Sequence, residues 1–366
     1  ISADARGAGV ARRSGQVAAV PLLPAPLAEA LARLEFTLDA ARDRAGIITL
    51  RDVAAKAPLG EVMLAGRLDP KRAEAALQGT IALGSSAMFA AYVPEEIAWE
   101  AARARFRLDG KLTAPQIALD ADMQGFSSSI AELGAALGAT PRLSLQARAP
   151  TRIESLRLIG AGNELTAAGD IGETLDLRFG LRLADLAPLV PELAGALTAE
   201  GHLHGARDDP SITLKARGES ITRGAEVLAA PSLDLVLETP LSRPRAEARL
   251  EAIYAGQPLT LTLSGVPEGS ALRINQLEAA FGAARLSGRG LLDVQKPLFD
   301  GALSLAIPDL APFGDILGHT MTGSLSLEAE GRDAAGVQQI TAKLNAPEAS
   351  FDGRRLAMRV EFAGSL

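Results

Sequence analysis

Apolar and polar residues alternate with a period of two over much of the chain. Leu175, Leu177, Phe179, Leu181 and Leu183 are separated by Asp176, Arg178, Gly180 and Arg182. Thr260 and Thr262 likewise separate Leu259, Leu261 and Leu263, and Val62, Leu64 and Leu68 alternate with Met63, Ala65 and Arg67. Successive side chains of a strand point to opposite faces, so this spacing puts an apolar row on one sheet face and a polar row on the other. Turn-forming clusters punctuate the runs: Asp69-Pro70, Asp208-Asp209-Pro210 and Pro267-Glu268-Gly269. The pattern predicts antiparallel meanders.

The alternation is organised into an internal repeat, which bears on fold more directly than any single motif. Leu50–Leu68 aligns without a gap on Ile153–Ile171 at an offset of 153 − 50 = 103, matching Val53 with Leu156, Glu61 with Glu164, and Gly66 with Gly169. Val62–Leu83 aligns on Ala284–Leu305 at 284 − 62 = 222, matching Gly66 with Gly288 and Ile81 with Leu303. A hairpin word also recurs: Phe106-x-Leu108-x-Gly110-x4-Pro115-x-Ile117-x-Leu119 is echoed 95 residues later by Gly201-x-Leu203-x-Gly205-x4-Pro210-x-Ile212-x-Leu214. The repeat units are placed at 36–140, 141–250 and 251–366.

Each unit carries an expected helical insert, between Ala90 and Ala101, Leu186 and Leu197, and Leu310 and Leu317. Two of them open on Asp-Leu-Ala-Pro, at Asp185 and Asp309. Proline and acids in a first turn suit a helix start. Two further helices are expected, Ala25–Leu34 and Ser128–Leu137.

Composition narrows the chemistry. Apolar residues make up 48% and aromatics only 4%, so the apolar matter is Leu, Ala, Val and Ile. The net charge of −7 and pI near 5.3 argue against a nucleic-acid partner, whose phosphates need cations. There is no Cys, which excludes thiol catalysis, disulfides and thiolate metal sites and suits an oxidising compartment. The 20 uncharged residues Ala75–Pro94 are long enough for a membrane span, but polar residues and strand alternation within them argue against one. The start at Ile1-Ser2-Ala3-Asp4 reads as an excised segment.

No catalytic constellation stands out. Gly160-x-Gly162 and Gly288-x-Gly290 lack the third glycine of a dinucleotide loop, and no Gly-x-Ser-x-Gly elbow is present. His202 and His204 share a strand face, but no acidic partner is placed with them and His319 lies elsewhere, so no metal site is assigned. Arg103, Arg105 and Arg107 share a face opposite Ala104, Phe106 and Leu108 and read as solvated, with phosphate contact at a rim as the other reading. Glu61 and Glu164 recur in register but Ala283 stands in the third position. No cofactor site is assigned and an enzyme is not expected.

A sheet with long aliphatic rows either closes into a sandwich or curls into an apolar trough, and the sequence leaves both open. A trough has a clear energetic use: an acyl chain in water costs about 0.8 kcal/mol per methylene, hence about 8 kcal/mol for ten. The expected lining residues are Val62, Leu64, Leu68, Ile81, Leu83, Phe106, Leu108, Ile117 and Leu119, then Leu165, Leu175, Leu177, Phe179, Leu181, Leu203, Ile212, Leu214, Leu286, Leu303 and Leu305.

The run Ile-x-Leu-x-x-Val…Pro-Leu-Gly-x-Val-x-Leu-x-Gly-x-Leu-Asp, from Ile48 to Asp69, resembles the AsmA-like superfamily. With the Asp-Leu-Ala-Pro inserts and the Gly-x-Leu-x-Gly-x4-Pro strands, the chain looks most like the TamB family, the inner-membrane subunits of the translocation and assembly module. The resemblance implies a mainly β fold: an elongated, repetitive antiparallel sheet curled into an open apolar groove of the β-taco, bridge-like lipid-transfer type, with short helical inserts. It implies a periplasmic location, tethered to the inner membrane by an N-terminal helix absent from this segment. The implied partners are phospholipid acyl chains and, through a C-terminal region also absent, an Omp85-type outer-membrane barrel. The implied role is phospholipid transport between inner and outer membrane, with support of outer-membrane protein and autotransporter assembly. The alternative is a protein-handling scaffold that pairs client strands without carrying lipid; an inert extracellular β-solenoid or stalk is a third reading.

Overall fold

A computed structural model describes residues 9–17, 34–90, 93–239, 244–268, 271–293, 298–334 and 337–365. The expected helix Ala25–Leu34 lies outside them except for Leu34. The chain divides into two compact units, Ile1–Pro191 and Glu192–Leu366, taken separately below.

In the first unit, β1 (Gly9–Val17), β2 (Leu34–Arg42), β3 (Ile48–Ala57), β4 (Gly60–Asp69) and β5 (Glu74–Leu83) pair in that order, each antiparallel to the last. A 3₁₀ turn, Ser86–Phe89, and the two-residue β6 (Ile97–Ala98) lead to β7 (Ala101–Lys111), which pairs with β5. β8 (Gln116–Gln124) follows, then β9 (Ser127–Ser128), which pairs with β6, and the helix α1 (Ala131–Leu137). β10 (Arg142–Arg148) pairs with β8, and β11 (Arg152–Gly160), β12 (Asn163–Ile171) and β13 (Thr174–Leu183) complete the meander.

The second unit repeats the scheme. β14 (Leu193–Ala194) pairs with β17 (Ser220–Arg223), while β15 (Leu197–Ala206) pairs with β16 (Asp209–Gly218). β18 (Glu226–Glu238) accepts β17 at its start and β16 further on. β19 (Arg245–Tyr254), β20 (Gln257–Glu268), β21 (Ala271–Phe281), β22 (Ala284–Asp293) and β23 (Leu298–Ile307) extend the sheet. After α2 (Ala311–Leu317), β24 (Met321–Thr322) and β25 (Leu325–Ala334) pair with β26 (Val337–Phe351), which pairs with β27 (Arg354–Ser365). In neither unit does the last strand pair back on the first among the described residues, so each sheet curls without closing into a barrel.

The observed strands revise the third copy of the repeat. β4 and β22 begin at Gly60 and Ala284, and β5 and β23 at Glu74 and Leu298, both 224 apart. The sequence offset of 222 is therefore two residues short. Gly66 corresponds to Gly290, not Gly288. Both have positive φ, 146° and 157°, as does Gly169 at 142°. Each pairs with the last residue before a bulge on the neighbouring strand: Leu50, Ile153 and Ile274. The bulges, at Arg51-Asp52, Glu154-Ser155 and Asn275-Gln276, sharpen the local twist. A slip of two leaves every side chain on its proper face, because the strand period is two.

The inserts are less helical than expected. Leu310–Leu317 contains α2, with Pro312 in its first turn and Gly318 closing it in the left-handed region. Ser128–Leu137 is helical only from Ala131, because Ser128 is held in β9 opposite Ile97. Among the described residues the other two expected helices are not formed. In the stretch from Leu186, the Leu186 carbonyl accepts the N–H groups of Leu189 and Val190. The turn ends there, since Pro191 has no N–H and Glu192 sits at φ 74°. Between Ala90 and Ala101, Pro94 precedes β6, and Trp99 is tied back through its Nε1 to the Gly84 carbonyl and through its N–H to Ser86 Oγ, each at 3.0 Å. The uncharged stretch Ala75–Pro94 is β5 over its first half. Among the described residues no helix is long and apolar enough to cross a membrane.

In the first unit the long connections, 84–100 and 125–141, leave from one rim of the sheet, whereas among the described residues the opposite rim has only short turns: 43–47, 70–73, 112–115, 149–151 and 172–173. In the second unit the connections holding β17 and α2 likewise share a rim.

Candidate functional site: an open apolar face

Residues directly opposite in antiparallel strands share a face, so the register traces each face across a unit. In the first unit one row runs Leu38, Val53, Leu64, Gly79, Phe106, Leu119, Leu145, Leu156, Ala167, Phe179 without a polar residue. At the usual strand spacing, those nine steps cover roughly 40 Å. A parallel row contains Val62, Ile81, Ala104, Ala121, Leu143, Leu158, Leu165 and Leu181, and another contains Leu77, Leu108, Ile117, Ala147, Ile153, Gly169 and Leu177. Leu68, Leu83 and Leu175 lie on the same face at its margins, opposite Ala75, Ala102 and Ile171.

The second unit is built alike. Its central row is Ala199, Ala216, Leu233, Leu250, Leu261, Ala279, Leu286, Leu305, Leu327, Leu344 and Val360. Leu203 faces Ile212, Leu214 faces Gly201, and Leu303 faces Gly288 and Ala329, all on that side. The register thus gathers all fourteen expected lining residues of the first unit, Val62 to Leu181, on one face, and all six of the second, Leu203 to Leu305, on one face of theirs. Sequence reasoning missed many of their neighbours, such as Leu38, Val53, Leu145, Leu156, Leu235 and Leu277, although the same alternation marks them.

This face is not covered as a core would be. Of the twenty expected residues only Leu175 is buried, at 9%; Val62 is 39% exposed and the rest are half-buried. Among the described residues no large side chain falls below 2% exposure. Along β10, exposed Arg142, Ser144, Gln146 and Arg148 alternate with half-buried Leu143, Leu145 and Ala147. The inserts cover the face only at a rim. A methyl on Gly160 would meet the main chain of Leu137 at the end of α1. Phe313 of α2 packs edge-on to Phe281, with ring centroids 5.3 Å apart. Leu310, Ala346 and Ala349 form a small buried cluster there with Ile307, Met321 and Leu325.

Glycines shape the floor. Gly290, Gly301 and Gly331 stand opposite one another on three strands, and the ring of Phe299 lies over all three: a Cβ on any of them would come within 2.9–3.0 Å of it. Phe106 covers Gly79 in the same way, at 2.8 Å.

The other face is polar. Arg103, Arg105 and Arg107 project there, opposite Asp122, Asp120 and Ala118. Glu61 and Glu164 lie on it too, and the revised register puts Arg285 (61 + 224) rather than Ala283 in the third position. Arg157 Nε donates to Glu164 Oε1 at 2.6 Å, a bond that holds the Glu164 carboxyl below its ordinary range. Such exposed pairs contribute little stability. His202 and His204 also fall on this face and stack with ring centroids 4.9 Å apart. Among the described residues no group of three or more potential metal ligands is found.

Each unit is thus an unclosed antiparallel sheet with one aliphatic, uncovered face, which defines a groove-forming β-protein. Residues 133–224, from α1 to the end of β17, match the family model described as TamB, N-terminal domain, and that stretch is similar to this family. No curated protein and no solved structure matches it.

Proposed function

We propose that the apolar faces shield the acyl chains of phospholipids crossing the periplasm between inner and outer membrane, and so support assembly of outer-membrane proteins, autotransporters included. The observation that carries this reading is the unbroken row from Leu38 to Phe179, apolar throughout and half-exposed along its length. Its removal from water by an acyl chain repays both surfaces at about 25 cal/mol per Å². The match of residues 133–224 to the TamB N-terminal-domain model supports the same setting, with an inner-membrane tether and an Omp85-type barrel partner. In this reading the three repeat units, 36–140, 141–250 and 251–366, contribute successive stretches of lining, and no catalytic step or cofactor is involved.

The test uses photo-crosslinkers at Leu181, on the apolar face, and at Arg182, the next residue and on the polar face, followed by mass spectrometry of captured lipid. Phospholipid at Leu181 and none at Arg182 is the expected result. Capture at neither position, with Leu181 joined only to its own chain, would overturn the proposal.

A second reading, a scaffold that pairs client strands, draws on β27. Leu356, Met358, Val360 and Phe362 are 40–50% exposed on this strand, which pairs only with β26 among the described residues. It predicts client binding that survives charge substitutions in the apolar rows.

A further inference from the structure

We propose that Arg42 and Lys71 form a phosphate-binding site at the margin of the first unit's apolar face, where they hold the headgroup of a lipid whose chains lie along that face. The inference rests on the lipid reading above and adds where, and by what chemistry, the polar end is held.

Arg42 is out of pattern. It follows Phe36, Leu38 and Ala40 at the same strand parity, pairs with Ile48, and through Ile48 lines up with Leu68 and Ala75. Among the described residues it is the one cation on the apolar face of β2 to β13. A second cation converges on it from the next short turn: a methyl built on Gly46 would lie 3.7 Å from Arg42 Nη2 and 3.6 Å from Lys71 Cε. The two side chains therefore approach within at most 3.7 + 3.6 = 7.3 Å, close enough for one phosphate to meet both.

Two nearby carboxylates, Asp43 and Asp69, are engaged by main-chain N–H groups. Asp43 Oδ1 accepts the Ile47 N–H at 2.9 Å, closing its own turn. Asp69 Oδ1 accepts the N–H groups of Lys71 and Arg72, at 3.0 and 3.2 Å, and its other oxygen faces Arg72 Nε. Neither Arg42 nor Lys71 makes an ion pair among the described residues, and both are exposed, so an incoming anion displaces no protein partner. Repulsion between two unpaired cations is relieved by a shared phosphate, and the guanidinium offers two parallel donors to it. The rims differ in charge to match. The turns of this one carry Arg44, Lys71 and Arg72 against Asp43 and Glu173, with Lys111 at the adjoining end of β7, whereas the connections 84–100 and 125–141 on the opposite rim contain Glu95, Glu96, Glu100 and Glu132 and no Lys or Arg. A phosphodiester is drawn to the first rim and repelled from the second, which sets the direction in which headgroups project.

The experiment titrates the chain, by native mass spectrometry, with dihexanoyl phosphatidylglycerol, dihexanoylglycerol and inorganic phosphate. The double variant Arg42→Gln/Lys71→Gln is compared with Arg103→Gln/Arg105→Gln on the polar face and with the charge-preserving Arg42→Lys/Lys71→Arg. The inference expects the first variant to bind the phospholipid about tenfold more weakly, to bind dihexanoylglycerol unchanged, and the other two variants to match wild type. Equal phospholipid binding by wild type and the first variant overturns it while leaving the lipid reading intact. Inorganic phosphate held as tightly as the phospholipid also overturns it, since the site would then be one for free phosphate. If wild type takes up neither amphiphile, the lipid reading itself fails and the inference with it.

Discussion

The side-chain amide of Gln338 takes the place of a missing strand partner for the main chain of Phe299. Gln338 Oε1 accepts the Phe299 N–H at 2.7 Å, and Gln338 Nε2 donates to the Phe299 carbonyl at 2.9 Å. β23 and β25 pair only from Gly301 onward, so the Phe299 main chain would otherwise face an opening in the sheet. The amide reaches it over Gly331, whose missing Cβ would sit 3.0 Å from Nε2. Gln338 is 6% exposed, one of the few buried polar residues of a chain with little buried at all.

Gln338→Leu should therefore destabilise the second unit by about 1–2 kcal/mol, because two part-buried main-chain groups lose their partners. Gln338→Glu distinguishes this from lost packing. At neutral pH the carboxylate accepts from the Phe299 N–H but cannot donate to its carbonyl; a protonated carboxyl can. Urea denaturation should show the Glu variant recovering relative to wild type as pH falls towards 4.

Charge placed in an apolar row should disable the face without unfolding it. Leu181→Asp or Leu303→Arg puts an ion at a half-exposed site, where solvation is partly kept and the stability cost stays near 1 kcal/mol. Circular dichroism should be unchanged while the lipid co-purifying with the chain falls severalfold. Arg182→Asp, on the polar face, should leave both readings as they were.

Gly66→Ala and Gly169→Ala should be costly despite their small size. Both glycines have φ above 140°, and an added Cβ would fall on the carbonyl oxygens of Ala76 and Asp176. A loss of about 2 kcal/mol or more is expected for each. Gly172→Ala, where the new methyl would meet only the Thr151 side chain, at 3.4 and 3.6 Å, should change the denaturation midpoint little.

The end of α2 is latched to the β26–β27 turn by Asp352. Its Oδ1 accepts the Thr320 N–H at 3.0 Å and its Oδ2 lies 3.1 Å from His319 Nδ1. The Thr320 bond, then that of His319, holds the Asp352 carboxyl below its ordinary range. A folded-state pKa below the unfolded one stabilises fully above the unfolded value, near 3.9, and the benefit is lost as pH falls through the folded value. Amide exchange at Thr320, corrected for the intrinsic rate, should stay protected down to about pH 4 and accelerate below it. In Asp352→Asn that acid-induced step should disappear.

Much of the face assignment was legible in the alternation. A strand needs only neighbouring residues to decide which side chains share a side, so Leu175 to Leu183 predicted their own row and the tertiary structure left it in place. The hairpin echo at offset 95 was equally local: Leu108 pairs with Ile117 and Leu203 with Ile212 in the same register. The third offset was misread by two because Gly288 and Gly290 offer equal matches to Gly66, and only pairing with Ile274 before a bulge selects Gly290. Arg42 had a signal that was passed over, a cation at the parity of Phe36 and Leu38.

The sequence by itself determined the strand-rich class, the apolar and polar faces and the recurrence of the unit, because these depend on period and turn chemistry within a few residues. Only the tertiary structure decided that the sheets stay open, that two of the expected helices are turns, and that Gln338 serves Phe299 from thirty-nine residues away. Those outcomes rest on which main-chain groups find partners across distant strands. A hydrogen bond between segments far apart in the chain leaves no periodic trace in the sequence of either.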